Sequence, residues 1–181
     1  MMYKLNEEFY VRSLKETDLE GPYIGWFDDQ DVCLYNSHGK FSKSDAYYKN
    51  YILSVGSEKN ELIWAICSVT DGHIGNVSLT DISFINRKAE FGIIIGSRDH
   101  WGKGVAKMAG RMVLYHAFNK LNLNRVYCSV VELNIGMIKL AHSIGMKKEG
   151  ILRKNSWLDG VWVNDIQYGI IAEEFDFSCV N

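Results

Sequence analysis

The sequence predicts a mixed α+β fold, a central sheet of about seven strands with helices on both faces. Three observations lead there. Strand-like segments follow one another from residue 62 to residue 96, the pattern of an antiparallel meander. A long amphipathic helix and a further strand succeed them, a β-helix-β unit whose strands pair in parallel. Helical stretches stand before and after the meander, so each face of the sheet can be covered.

In chain order, Phe9 to Leu14 reads as the first strand. Thr17-Asp18-Leu19-Glu20 has the spacing of a capping box and opens a helical stretch that ends near Trp26-Phe27-Asp28-Asp29. A second such box, Ser42-Lys43-Ser44-Asp45, starts a helix with Tyr48, Tyr51, Ile52 and Val55 on one face, stopped at Gly56-Ser57. Leu62 to Val69, Ile74 to Ile82 and Lys88 to Gly96 are the meander, its first turn signalled by Asp71-Gly72. In the last of these strands Ala89, Phe91, Ile93 and Ile95 point one way, and Glu90, Gly92, Ile94 and Gly96 the other. Val105, Met108, Ala109, Met112, Val113, His116, Ala117 and Leu121 recur at helical spacing. Arg125 to Val131 is a strand, Asn134 caps a short helix through Ser143, and Gly145 stands just past its end. Extended structure resumes at Met146, turns at Asp159-Gly160 and ends with a strand from Trp162 to Ile171. With no repeat, linker or low-complexity stretch and one proline, Pro22, residues 9–175 read as a single domain.

Composition narrows the function. A net charge of −2 with scattered lysines and arginines offers no basic face for nucleic acid or an anionic membrane. No run reaches the roughly 18 apolar residues of a membrane span, and Met1 to Glu8 lacks the apolar region of a secretion signal. Cys33, Cys67, Cys128 and Cys179 form no CxxC, and no histidine pair has metal spacing, so neither disulfide nor metal is expected and a reducing cytoplasm is the default. Of the histidines, His100 lines the glycine loop, His116 reads as a satisfied core residue, and His73 as part of a turn.

The chemistry points to the segment Gly96-Ser97-Arg98-Asp99-His100-Trp101-Gly102-Lys103-Gly104-Val105-Ala106. A strand that runs through glycines into a long helix is an anion site. The first helical turn has unpaired N–H groups and partial positive charge, and glycine lets a phosphate approach the backbone. Lys103 and Arg98 can add charge at its rim. A nucleotide P-loop does not fit: Gly96 lies one residue too far from Gly102, and Gly104 stands where a Ser or Thr would hold magnesium. A dinucleotide fingerprint does not fit either, because Lys107 occupies the last small position. Two glycines that merely turn a strand into a helix are the plain alternative.

Trp101-Gly102-Lys103-Gly104-Val105-Ala106 resembles the W-G-k-G-x-A core of the GNAT superfamily of N-acetyltransferases, in its RimL-like branch. Ala89-Glu90-Phe91-Gly92-Ile93 resembles the family's strand before that loop. Asn134 with Gly145-Met146 resembles its N…G-F signature, and Leu152-Arg153, Asp165 and Tyr168-Gly169 its closing hairpin. The resemblance implies a sheet splayed between the strands Lys88–Gly96 and Arg125–Val131, often at a bulge, with acetyl-CoA in the split. It implies that the backbone of Ile95, Gly96 and Trp101 to Ala106 holds the cofactor, with Asn134 reaching the pantetheine arm or capping its own helix. A backbone N–H at Ile94 or Ile95 would stabilise the oxyanion.

The implied reaction is direct attack of a primary amine on the thioester. An alkyl ammonium has a pKa near ~10.4 and must first lose a proton. Glu90 is the candidate base; an exposed carboxylate, or one paired with a basic group of the substrate, is the other reading. The tyrosine that many relatives place in the helix after Asn134 is Ala141 here, although a thiolate with a pKa near ~8.5 can leave unaided. Trp26-Phe27-Asp28-Asp29 resembles the acceptor-side segment of PseH-like amino-sugar acetyltransferases. Trp26, Asp28 and Tyr35 are therefore the acceptor candidates and an amino-sugar nucleotide the acceptor, with a protein α-amine of the ribosomal-protein type and a polyamine as alternatives. Tyr47, Tyr48 and Tyr51 shape an acceptor pocket or pack on the sheet. A non-catalytic acyl-CoA-binding module is the rival of another class. The chain is expected to be a monomer or a homodimer.

Overall fold

A computed structural model describes residues 1–41, 43–55 and 60–180. Its sheet has eight strands in the order β1-β2-β3-β4-β5-β6-β8-β7: β1 Met2–Lys4, β2 Phe9–Ser13, β3 Leu62–Ser68, β4 Gly72–Ser83, β5 Lys88–Ile95, β6 Arg125–Val131, β7 Lys147–Leu158 and β8 Val161–Ile171. The expected mixed fold is present with one more strand than expected. The added strand, β1, has three residues, too few for alternation to be visible. The helices are α1 Gln30–Cys33, α2 Asp45–Ser54, α3 Val105–Asn119 and α4 Ile135–Ser143.

The segment from Thr17 to Asp29 departs from its expected helix. It forms 3-10 turns at Glu16–Glu20 and Ile24–Phe27. Asp18 caps the first turn by accepting from the Lys15 N–H, and it also accepts from both guanidinium nitrogens of Arg12, at 2.8 and 2.6 Å. Its carboxylate ties the turn to β2. The next helix starts at Asp45, capped by Ser44, whose Oγ accepts from the Tyr47 N–H. Ser42 and the expected stop at Gly56-Ser57 lie outside the described residues.

Strand alternation divides the interior in two. On one face α3 and α4 pack over Val77, Leu79, Ala89, Phe91, Val126 and Ile170, with Ile93 and Ile95 at the edge of this main core. Ile94, of opposite parity, packs against a second cluster of Tyr23, Trp26, Phe27, Val32, Tyr48 and Ile52. His73 belongs to that side. It is a buried residue of β4, not of a turn, stacked on Tyr23 at 5.5 Å, with Nε2 hydrogen-bonded to Asn76 Oδ1 at 2.7 Å. His116 is the core residue it was expected to be, bonded to Tyr3 Oη at 3.1 Å and edge-on to Trp64.

The split in the sheet follows from its pairing. β5 and β6 run parallel only at Lys88–Arg125, Ala89–Val126 and Glu90–Tyr127. Beyond these pairs β5 continues to Ile95 and β6 to Val131 without pairing to each other. No bulge marks the split on β5, whose register with β4 is continuous from Glu90–Thr80 to Ile95–Gly75. The irregularity lies in β4 between Thr80 and Ser83, where Asp81 takes a φ of 49°.

Candidate active site

Two cavities open on either side of the free part of β5. The larger, about 890 Å³, lies in the split and is lined by Ile93, Ile94 and Ile95 of β5, Ser129, Val130 and Val131 of β6, the glycine loop and the start of α4. The smaller, about 380 Å³, lies over the second cluster. Phe91, Gly92, Ile93, Ile94 and Asn36 line both cavities.

The glycine loop takes the form its sequence demands. Gly102 and Gly104 have φ of 76° and 79°, a region costly for residues with a Cβ, and open space surrounds the Cβ position of each. Gly104 is the N-cap of α3 and offers no side-chain acceptor to the helix's first N–H groups. Those donors stay available beside the larger cavity, which Gly102, Gly104, Val105 and Ala106 line. The loop is held from beneath. Trp101 Nε1 donates to the Ile95 carbonyl at 2.8 Å, and the buried His100 has Nδ1 at 2.8 Å from Ser97 Oγ and Nε2 at 3.3 Å from Asp71. Arg98 does line the cavity, but its guanidinium is 2.6 Å from Asp31 at the start of α1, while Lys103 is exposed outside the lining.

Gly96 has a further reason to be glycine. A Cβ there would fall 1.9 Å from Cδ2 of the Trp26 indole. Trp26 is thus a packing residue, buried against the end of β5 and outside both cavity linings. Asp28 is exposed and also outside them, whereas Tyr35 is half-buried in the wall of the larger cavity. Asn134 caps α4, its Oδ1 accepting from the Met137 N–H at 3.0 Å, and it also lines the larger cavity. Ala141 is buried in the main core and lines neither cavity.

Glu90 is half-buried in the wall of the smaller cavity. Burial, and then the charge of Asp81, push its carboxyl above the usual glutamate range. Around it stand Tyr23, Phe27, Tyr47, Tyr48 and Tyr51, with Asn36, Asn76, Ser78 and Thr80 as hydrogen-bonding groups. Lys43 and His38 also line it; burial, and then the nearby Lys43, lower the His38 pKa. Among the described lining residues Glu90 is the one carboxylate and Lys43 the one fixed cation. Tyr47, Tyr48 and Tyr51, wall or packing on sequence grounds, stand in the wall of this cavity. Ser78 and Thr80, which no motif marks, join it through the pairs Ser78–Gly92 and Thr80–Glu90. No group of three metal-ligating side chains forms among the described residues.

The sequence matches the family described as acetyltransferase (GNAT) domain over residues 8–147. It is 37% identical over 159 residues to a spermidine N(1)-acetyltransferase of Vibrio cholerae, covering 86% of this chain and 88% of that one. It is 34% identical over 110 residues to an uncharacterised N-acetyltransferase, p20, of Bacillus licheniformis, 61% of each chain. The chain thus spans about six-tenths of the length of the first curated relatives it matches. Among solved structures, the spermidine N-acetyltransferase from Vibrio cholerae in complex with CoA and spermine superposes with a TM-score of 0.83, at 25% identity, over 93% of this chain and 98% of that one. With the glycine loop, the split sheet and this match in agreement, the chain belongs to the acetyltransferase (GNAT) domain family.

Proposed function

We propose that the chain transfers an acetyl group from acetyl-CoA to a primary amine within a ternary complex. The observation that carries this reading is the meeting of two cavities at Phe91–Ile94: one bordered by the anion-binding loop, the other holding a half-buried carboxylate. Acetyl-CoA bound in the larger cavity supplies an activated acyl group. The N–H groups of Gly102 to Ala106 receive its pyrophosphate at the start of α3. The backbone N–H groups of Ile95 and Gly96, together with Asn134, orient the pantetheine arm. Glu90 takes the ammonium proton, directly or through water, and its raised pKa makes it a better base for that task. A backbone N–H of Ile94 or Ile95 stabilises the developing oxyanion. Since Ala141 stands in the core, the thiolate leaves without a tyrosine from α4.

For the acceptor we infer an amino sugar, carried on a nucleotide. Aromatic walls with amide and hydroxyl groups suit the apolar faces and hydroxyls of a sugar ring, and Lys43 suits a phosphate. The relatives favour a polyamine. Such a polycation calls for several carboxylates, and the described lining of the smaller cavity has Glu90 alone.

The test is CoA release from acetyl-CoA with UDP-glucosamine, spermidine and an alanyl peptide in parallel. Release is expected with the amino sugar first. Faster release with spermidine would move the reading to polyamines, and tight acetyl-CoA binding without release to any amine would favour a non-catalytic module. In Glu90→Gln, kcat should fall by about a hundredfold while acetyl-CoA affinity holds. The wild-type rate should rise with pH through a limb above the ordinary glutamate range, and that limb should vanish in the variant. A limb that persists removes Glu90 as the base.

A further inference from the structure

Glu90 and Ile94 stand four residues apart on β5, about 13 Å at the rise of a strand. No glutamate side chain spans that distance. An amine at the thioester carbon, held beside the Ile94 or Ile95 N–H, is therefore out of direct reach of the Glu90 carboxylate. Proton transfer between them needs a group that both can touch.

Midway between the two is Gly92, which lines both cavities. Without a side chain it leaves an opening in the row of Glu90 and Ile94. Ser78 overhangs that opening: the two residues pair across β4 and β5, and a Cβ on Gly92 would fall 2.7 Å from Ser78 Oγ. Paired residues share a face of the sheet, so Ser78 stands on the side of Glu90, in the wall of the smaller cavity. Glu90 itself pairs with Thr80 and is the diagonal neighbour of Ser78. Such neighbours lie about 7–8 Å apart at the backbone, within reach of a long side chain. Ser78 is half-buried, and none of the described residues hydrogen-bonds to its hydroxyl or to the Glu90 carboxylate. Asn76, the next residue on that face of β4, is by contrast engaged, its Oδ1 bonded to His73 Nε2.

We propose that the Ser78 hydroxyl is the proton relay between the acceptor amine and Glu90. A hydroxyl suits the task because it accepts and donates at once. The ammonium N–H passes its proton to Ser78 Oγ while the Ser78 O–H passes its own to the Glu90 carboxylate. One proton leaves nitrogen, one reaches the carboxylate, and the serine is restored. The nitrogen lone pair so freed forms the bond to the thioester carbon. As the C–S bond breaks, the nitrogen loses a second proton to solvent and CoA leaves as the thiolate. This rests on the acetyl-transfer reading with Glu90 as the base, whatever the identity of the amine.

The experiment compares Ser78→Ala with the wild type in CoA release, using whichever of UDP-glucosamine, spermidine and the alanyl peptide the wild type acetylates. In Ser78→Ala, kcat should fall about tenfold or more, with acetyl-CoA affinity and Tm held. Ser78→Thr keeps the hydroxyl and should recover most of the rate. The deficit of Ser78→Ala should shrink as pH rises toward the pKa of the amine, where the acceptor enters already neutral. Asp81, Tyr127 and Cys128 on the strands beside Glu90, and Lys43, His38 and the tyrosines of the cavity wall, also titrate. They are common to both proteins and cancel in the ratio of rates. Added to Glu90→Gln, Ser78→Ala should cost little more, since the two groups act in one path. The inference is overturned if Ser78→Ala keeps the wild-type rate, if its deficit is the same at every pH, if it multiplies with that of Glu90→Gln, or if Ser78→Thr is equally slow. An absence of CoA release with every amine in the wild type would sink the acetyl-transfer reading itself, and an unchanged rate in Glu90→Gln would sink the base; both are read without any Ser78 variant.

Discussion

Gly104 is where a single substitution speaks most directly about the cofactor. Its φ of 79° is left-handed, and its Cβ position points into open space. Gly104→Val therefore costs backbone strain of about 1–2 kcal/mol and puts a branched side chain beside the first N–H groups of α3, the proposed pyrophosphate site. Acetyl-CoA affinity should fall at least tenfold by calorimetry while the fold survives; unaltered affinity would place the pyrophosphate elsewhere. Sequence spacing could foretell this residue because glycine's freedom is a local property. The register shift between Leu152 and Ser156, which brings both Asn155 and Ser156 to Asp165, has no signature in alternation. Trp26 and Asp28 illustrate the same limit. A motif near an acceptor pocket does not reveal which side chains turn outward, and Trp26 turned out to fill the space that Gly96 leaves.

The end of β5 and the segment before α1 behave as one element. Trp26 lies against Gly96, and Arg98 reaches Asp31 at 2.6 Å. Gly96→Ala drives a methyl into the indole, so it should destabilise the protein by about 1–3 kcal/mol, read as a lowered denaturation midpoint. The same change should weaken acetyl-CoA binding, because the strand end is displaced. Arg98→Ala, at a half-exposed pair, should cost no more than about 1 kcal/mol; its effect should appear in cofactor affinity through a looser α1. The meander, α3 and α4 were legible as elements because their periodicities are strict and their boundaries carry Asp71-Gly72, Gly104 and Asn134. The stretch from Thr17 to Asp29 was not. Its capping pattern fits a 3-10 turn as well as an α-helix, and the contact that decides, Arg12 to Asp18, joins the turn to a strand.

At the scale of the molecule, the larger cavity, proposed to hold acetyl-CoA, is lined by strands and helices distant in sequence, so ligand binding there should stabilise the whole fold. Acetyl-CoA at a hundredfold excess over its dissociation constant contributes about 2.7 kcal/mol, a rise in Tm of roughly 5–10 °C for a chain of this size. ATP and NAD should give much smaller shifts; a rise with either alone would refute the acetyl-CoA reading. The mixed sheet was foreseeable from element order. Its added strand was not. The second cavity, walled by the tyrosines weighed for an acceptor pocket, exists because two faces of β5 serve different clusters.

The three-pair contact between β5 and β6 has a consequence for handling the protein. Past Glu90 and Tyr127 the sheet carries two interior borders whose main-chain groups lack a neighbouring strand, besides the outer borders at β1 and β7. A bound pantetheine arm would occupy that gap as a surrogate strand. Stripped of it, the molecule exposes a template to which another chain's extended segment can add. Preparations freed of CoA should therefore self-associate on storage sooner than loaded ones, as light scattering would record.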